Sequence, residues 1–188
     1  MNLVIFGPPG AGKGTQSKYM VEKFNMFQLS TGEFLRNEMS KNTGIGKKIS
    51  SVINSGNLVS DQIVSDLIEK VISNDKYQNK IIFDGYPRNL NQAKNLDSLL
   101  KKYNQKINIA LKLSVSLETI KNRISERRKL ENRSDDSDEI VVKRYETYEK
   151  SIEPVIEYYK KLNLLKVVDG ERPIDQINKE ISEIIDFV

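Results

Sequence analysis

Gly7-Pro8-Pro9-Gly10-Ala11-Gly12-Lys13-Gly14-Thr15 follows an apolar run, Leu3-Val4-Ile5-Phe6, and precedes an amphipathic stretch over 16–24. A buried strand that enters a glycine-rich turn and leaves as a helix reads as a phosphate-binding loop. Glycines let successive backbone N–H groups point at an anion, in conformations that a Cβ hinders. The helix N-terminus adds about half a positive elementary charge. Lys13 adds a mobile full charge for the outer phosphates. Gly10, Ala11, Gly12, Lys13, Gly14 and Thr15 are thus the candidate phosphate ligands. A tight strand–helix turn with a solvated lysine is the alternative. Four glycines within residues 7–14, a lysine and the right flanks weigh against it.

The loop departs from the common pattern at one place. That pattern sets Ser or Thr directly after the lysine, where the hydroxyl reaches Mg²⁺. Here Gly14 holds that place and Thr15 follows. The metal is then expected to be held more by nucleotide phosphates and water than by this side chain. The spacing points away from a switch-type GTPase and towards a small phosphotransferase.

Composition narrows the chemistry. A chain of 188 residues suits one compact domain with small inserted pieces. No run of about 20 apolar residues is present, so no membrane span is expected. A first strand beginning at Asn2 leaves no room for a signal peptide, and a cytoplasmic location is expected. The chain has no cysteine, which removes disulfides and thiolate zinc sites, and no histidine, which removes imidazole as ligand or base. Catalysis must use Lys, Arg, Asp, Glu, backbone donors and a ligand-borne metal. A net charge of +4 suits an anionic ligand and equally a mildly basic surface.

Apolar runs at 3–6, 81–83, 109–113 and 165–168 read as buried parallel strands, with 27–29 as a short fifth. Helical periodicity lies between them. Ile63, Val64, Leu67, Ile68, Val71 and Ile72 share one helical face, with Ser60 as the expected N-cap. Leu96, Leu99 and Leu100 mark another helix. Ile140, Val141, Tyr145 and Tyr148 open a long one to about Leu162, with Pro154 as a kink or break. Ile174, Ile177, Ile181, Ile184 and Ile185 make the last. Alternating strands and helices imply an α/β fold, a parallel sheet covered on both faces. Ligands of such sheets sit beyond the carboxyl ends of the strands. The stretches 129–139 and 30–59 are the expected excursions from the core, the second with helical pieces joined through Thr43-Gly44.

Ile81-Ile82-Phe83-Asp84-Gly85-Tyr86-Pro87-Arg88 ends a strand with an acid, a turn and an arginine. Asp84 suits contact with Mg²⁺ through a water of the ion's shell. Arg88 has the planar fork that matches phosphate oxygens. An ordinary strand-end turn with a surface arginine is the alternative, and it loses weight beside the phosphate loop.

With these residues in place, the chain resembles the adenylate kinases of the nucleoside monophosphate kinase family. The resemblance runs through 7–15, Ser30-Thr31-Gly32-Glu33-Phe34-Leu35-Arg36, Gly56-Asn57-Leu58-Val59, 83–88 with Gln92, Arg133-Ser134-Asp135-Asp136, Lys143-Arg144 and Val168-Asp169-Gly170-Glu171-Arg172-Pro173. It covers essentially the whole chain. It implies a P-loop three-layer αβα fold with a parallel sheet of about five strands, an inserted helical NMP-binding domain and a short lid. The implied division is a core of 1–29, 60–125 and 137–188, an insert of 30–59 and a lid of 126–136.

The resemblance also implies roles. Residues 10–15 would bind the ATP phosphates, with Arg123 and Arg127 against ATP and the backbone near Arg172 at its adenine edge. Thr31, Arg36, Asn57, Leu58, Val59, Gly85, Tyr86, Pro87, Arg88 and Gln92 would hold AMP. Arg133 and Arg144 would reach both the transferring phosphoryl group and the AMP phosphate. Lys13, Arg88, Arg127, Arg133 and Arg144 would form the catalytic cage that phosphoryl transfer needs. The implied reaction is ATP·Mg²⁺ + AMP ⇌ 2 ADP, by a monomer serving adenine nucleotide balance, with no nucleic acid or membrane partner. Asp135 and Asp136 would orient the arginines or cap the loop.

Only Lys129-Leu130-Glu131-Asn132 separates Arg128 from Arg133. That is the short-lid form, without the β-rich insert and cysteine-held zinc of long-lid relatives. Asn132 stands where short-lid relatives often carry glycine, and Asn tolerates a left-handed backbone. Glu33 replaces a common aspartate. UMP/CMP kinases share the short lid and much of the cage. Thr31 and Gln92 favour AMP, because pyrimidine enzymes tend to carry a small residue and asparagine there. A nucleotide-binding switch or nucleic-acid-binding module is the reading from another class. Missing RNA-reading aromatics and a missing basic tail count against it.

Overall fold

The structure, a computed structural model, describes residues 1–40, 47, 50, 52, 59–131 and 137–188. Its elements run β1 (Asn2–Phe6), α1 (Lys13–Phe24), β2 (Phe27–Ser30), α2 (Thr31–Ser40), α3 (Asp61–Ile72), a 3-10 turn (Asp75–Tyr77), β3 (Ile81–Asp84), α4 (Leu90–Lys102), β4 (Ile107–Ser114), α5 (Leu117–Glu131), α6 (Asp138–Lys161), β5 (Leu165–Asp169) and α7 (Ile174–Asp186). Five strands form one sheet in the order β2-β3-β1-β4-β5, every pair parallel. Parallel neighbours need crossover connections, and the helices supply them on both faces.

The period-2 alternation of β1 sorts the core into two layers. Val4 and Phe6 face a cluster with Val64, Ile68 and Ile72 of α3, Leu96 and Leu100 of α4, and Val155 and Tyr159 of α6. Leu3 and Ile5 face the opposite cluster with Met20 of α1 and Ile177, Ile181 and Ile185 of α7. The result is the three-layer αβα arrangement that the strand–helix alternation predicts. Among the described residues no helix is long and apolar enough to cross a membrane.

A polar knot closes the amino-terminal end of the sheet. The Asn2 amide donates to Gln105 Oε1 at 3.1 Å and to the Lys106 carbonyl at 3.2 Å, and its Oδ1 accepts from the Ile81 N–H at 3.0 Å. Gln105 in turn accepts from the Asn79 N–H and donates to the Ile72 carbonyl, each at 3.0 Å. Both side chains are buried, so these bonds answer backbone groups that water does not reach.

Three elements differ from their sequence reading. Pro154 neither breaks nor ends its helix, since α6 continues to Lys161. Ile152, Val155 and Tyr159 around it are buried, and their packing outweighs the lost N–H bond. β5 is not a buried strand, for only Val168 is buried in it. It is an edge with a single neighbour, β4. Ser60 sits at the N-cap of α3, but its side chain makes no capping bond.

Candidate functional site

The carboxyl ends of the strands open onto one cleft of about 1250 Å³. That exceeds the roughly 300–1,000 Å³ usual for a single small ligand. Its walls come from the phosphate loop after β1, the turn after β3, and α2, α5 and α6. Gly10 has φ +83°, and a Cβ there would lie 2.9 Å from Ile124 Cγ1 of α5. The bare glycine lets α5 pack against the loop and bring its arginines to the cleft.

Lys13 opens α1. Its ammonium donates to the Gly7 carbonyl at 2.7 Å and the Pro8 carbonyl at 3.1 Å, folding back over the loop. Burial pushes its pKa down to about 8. Asp84 opposes that fall, while Arg88, Arg144 and Arg127 add to it. Arg88 is also lowered by burial, to about 10, with Arg144 and Arg36 pushing the same way and Asp84 against them. Both groups stay charged at neutral pH. Mutual repulsion of this kind, held in a cleft, suits a polyanionic ligand.

The turn after β3 is held tightly. Arg88 Nε donates to the Gly85 carbonyl at 2.7 Å, which anchors one edge of the guanidinium fork. Gly85 has φ +83°, and a Cβ there would sit 2.6 Å from Thr31 Oγ1. Thr31, 2 % exposed, donates from Oγ1 to the Asp84 carbonyl at 3.2 Å. The Tyr86 hydroxyl accepts from Asn95 Nδ2 at 3.2 Å. The Asp84 carboxylate is 8 % exposed and accepts from Gln28 Nε2 at 2.9 Å. Gln28 also lines the cleft.

On the other side, Arg123 donates to the Ala11 carbonyl at 3.3 Å and the Gly170 carbonyl at 2.8 Å. It ties α5 to the phosphate loop and to the turn after β5. Arg127 and Arg144 line the same cleft, as do Arg36, Val59, Pro87 and Gln92.

Most of the expected site therefore converges. Gly10, Ala11, Gly12, Lys13, Gly14 and Thr15 lie in one wall, with Thr31, Arg36, Val59, Asp84, Gly85, Tyr86, Pro87, Arg88, Gln92, Arg123, Arg127 and Arg144 around them. Arg172 does not join them. Its side chain pairs with Glu180 and Asp169 beside a separate groove, whereas the nearby Gly170 does face the cleft. Asn57, Leu58 and Arg133 lie outside the described residues, as do Gly56, Thr43-Gly44, Asn132, Ser134, Asp135 and Asp136. Of the expected lid, residues 126–131 form the last turns of α5.

Two contributors escaped the sequence reading. Gln28 carried a signal, a polar side chain alternating with Phe27 and Leu29 in a strand that ends at the site. Asp61, whose carboxylate accepts from Gln92 Nε2, carried none beyond its place in the first turn of α3. Among the described residues no three acidic, histidine or cysteine groups gather to hold a metal.

Comparison with known proteins agrees with the geometry. The family model described as "Adenylate kinase" matches residues 5–164. An adenylate kinase of Pelagibacter ubique is 43 % identical over 211 aligned positions, covering 98 % of this chain and 99 % of the relative. One from Prochlorococcus marinus is 40 % identical over 183 positions, 97 % of each chain. One from Archaeoglobus fulgidus is 36 % identical over 215 positions, 100 % of this chain and 99 % of the relative. The first and third alignments are longer than the 188 residues of this chain, so those relatives carry residues that it lacks. Cationic side chains drawn from four segments around one phosphate loop, and relatives that match from end to end, make the conclusion plain: the chain belongs to the adenylate kinase family.

Proposed function

We propose that this protein transfers the terminal phosphoryl group of ATP·Mg²⁺ to AMP, reversibly, giving two ADP. The observation that carries the reading is the cationic cage. Lys13, Arg88, Arg127 and Arg144 come from four segments, face one cleft, and lie close enough for the three arginines to lower the Lys13 pKa. Phosphoryl transfer asks little covalent chemistry of a protein. It asks for alignment and for charge neutralisation around the equatorial oxygens.

In this reading the loop of residues 10–15 presents backbone N–H groups to the ATP phosphates. Lys13 gives up the Gly7 and Pro8 carbonyls for the outer phosphate oxygens. Arg123 holds the loop against α5, and Arg127 lies along the phosphates. Arg88, fixed at Nε by Gly85, aims its remaining donors at the AMP phosphate. Arg144 and Arg133 complete the cage. Thr31, Arg36, Val59 and Gln92, with the backbone of 57–58 and 85–87, form the AMP side. The Arg172 backbone serves the adenine edge of ATP. A Mg²⁺ ion carried by ATP would supply charge neutralisation on the transferred group, and Asp84 would hold it through water. The AMP phosphate is already anionic near neutral pH, so the missing histidine is no obstacle.

The insert of 30–59 and the lid of 126–136 would close over the cleft and exclude water, which otherwise accepts the phosphoryl group. Such closure needs free surface, which favours a monomer. The shorter chain relative to two of its relatives is consistent with a short lid that holds no zinc. A cytoplasmic enzyme without nucleic-acid or membrane partners completes the reading.

The test is a transfer assay with ATP and Mg²⁺ that compares AMP, UMP, CMP and GMP as acceptors. AMP preferred by at least tenfold in kcat/KM is the expected result. Preference for UMP or CMP would keep the cage and overturn the roles of Thr31 and Gln92.

A further inference from the structure

Asp61 stands in the first turn of α3, outside every motif read from the sequence. Its carboxylate grips the first turn of α4 at two points. Oδ1 accepts from Gln92 Nε2 at 2.6 Å, and Oδ2 faces Asn89 Nδ2 at 3.5 Å. The other end of the Gln92 amide is held too, since its Oε1 accepts from the Arg88 N–H at 2.7 Å. Gln92 is 3 % exposed and lines the cleft.

The two partners of Gln92 have opposite and fixed polarity. A backbone N–H only donates, and an ionised carboxylate only accepts. The amide therefore has one stable orientation. Flipping it would set its carbonyl against the Asp61 carboxylate and its NH₂ against the Arg88 N–H. A buried glutamine without such partners turns either way round, because its two ends have the same shape.

After both bonds, Gln92 keeps one amide hydrogen and one carbonyl lone pair. That donor and acceptor, side by side, match the edge of a 6-aminopurine, where N1 accepts and the exocyclic amine donates. They oppose a 6-oxopurine, where N1–H donates and O6 accepts. We propose that Asp61 is a positioning residue that locks the polarity of the Gln92 amide and so makes the acceptor site select 6-amino over 6-oxo purine monophosphates. This rests on the AMP reading above and goes beyond it. Gln92 supplies the contact, while Asp61 and the Arg88 N–H supply the rejection. A 6-oxopurine can pair only after a flip that leaves two like-polarity contacts.

Wild-type protein tests the lock without any substitution. Initial rates are measured with AMP, with purine riboside 5′-monophosphate, which keeps the N1 acceptor and lacks the amine, and with IMP. A locked amide predicts the kcat/KM order AMP, then purine riboside monophosphate, then IMP, with IMP at least 100-fold below AMP. A freely turning amide would regain both bonds to IMP, so IMP equal to or better than purine riboside monophosphate overturns the lock. Asp61→Asn gives the second arm, because its amide can donate to a flipped Gln92 carbonyl. The AMP:IMP ratio of kcat/KM should fall at least tenfold, mostly through KM, and Asp61→Asn should change it less than twofold in a Gln92→Ala background. An equal loss on both substrates in folded Asp61→Asn, leaving the ratio within twofold of wild type, would mean that Asp61 only ties α3 to α4. Failure of the AMP reading shows separately, as a wild-type preference for UMP or CMP over AMP before any purine analogue is compared.

Discussion

Gly85 concentrates several demands in one residue. Its φ of +83° costs an L-residue about 1–2 kcal/mol, and the missing Cβ leaves room for Thr31 Oγ1. Gly85→Ala should therefore lose about 2 kcal/mol of stability or more in urea denaturation and weaken AMP binding as Thr31 is displaced. Unchanged stability and an unchanged KM for AMP would show that the turn relaxes freely. Lys13 makes an opposite prediction for stability. Its ammonium carries charge below a pKa of about 8 and loses it above, so kcat/KM should fall as pH rises through about 8. Between that value and the ordinary lysine value of 10.5, the unfolded chain binds more protons than the folded one. Lys13 thus makes ligand-free stability rise with pH over this window. Lys13→Met should abolish the alkaline fall, raise the ligand-free melting temperature at pH 7 by a few degrees, and cut transfer at least 100-fold. Lower stability together with retained activity would refute the cage role.

At the scale of elements, what was legible follows from what is local. The run 3–6 and the glycines after it announce β1 and its phosphate loop because strand, turn and helix signals are contiguous there. The periodicity of Ile63, Val64, Leu67 and Ile68 announces α3 for the same reason. The strand order β2-β3-β1-β4-β5 is a matter of long-range pairing, and no local pattern carries it. β5 reads as buried because Leu165, Val167 and Val168 are apolar, yet position at the sheet edge decides its burial. Pro154 reads as a breaker by propensity, while packing of its neighbours keeps α6 whole. Arg172 belongs to a motif whose backbone faces the cleft side, and nothing in the motif says that its side chain turns to Glu180. The Asn2 knot was equally hidden, being built from residues 79 and 103 positions apart. Asn2→Leu would leave the Ile81 N–H and the Gln105 amide short of partners. It should cost about 2–3 kcal/mol by chemical denaturation with kcat within a factor of two, since the knot lies at the end of the sheet away from the cleft. A matching loss of kcat would mean that the two ends of the sheet are coupled.

For the whole molecule, the parallel sheet explains why one cleft receives everything. All five strands point their carboxyl ends the same way, so the turns after β1 and β3 and the start of α5 meet above one edge. The helices α5 and α6, packed on each other through Ile120, Ile124 and Val141, then complete the walls with Arg127 and Arg144. The cost is burial of charge, with a crowd of like charges added to it, visible in the lowered pKa values of Lys13 and Arg88. In the proposed function, nucleotide phosphates would relieve that repulsion.

The most direct measurement follows the label from γ-labelled ATP into ADP formed from AMP, comparing wild type with Arg88→Ala after both are shown by circular dichroism to be folded. The expected result is label in the β-phosphate of the new ADP for wild type, and transfer at least 100-fold slower for Arg88→Ala with a similar melting curve. Transfer near the wild-type rate in folded Arg88→Ala would contradict the claim that the cage performs the reaction.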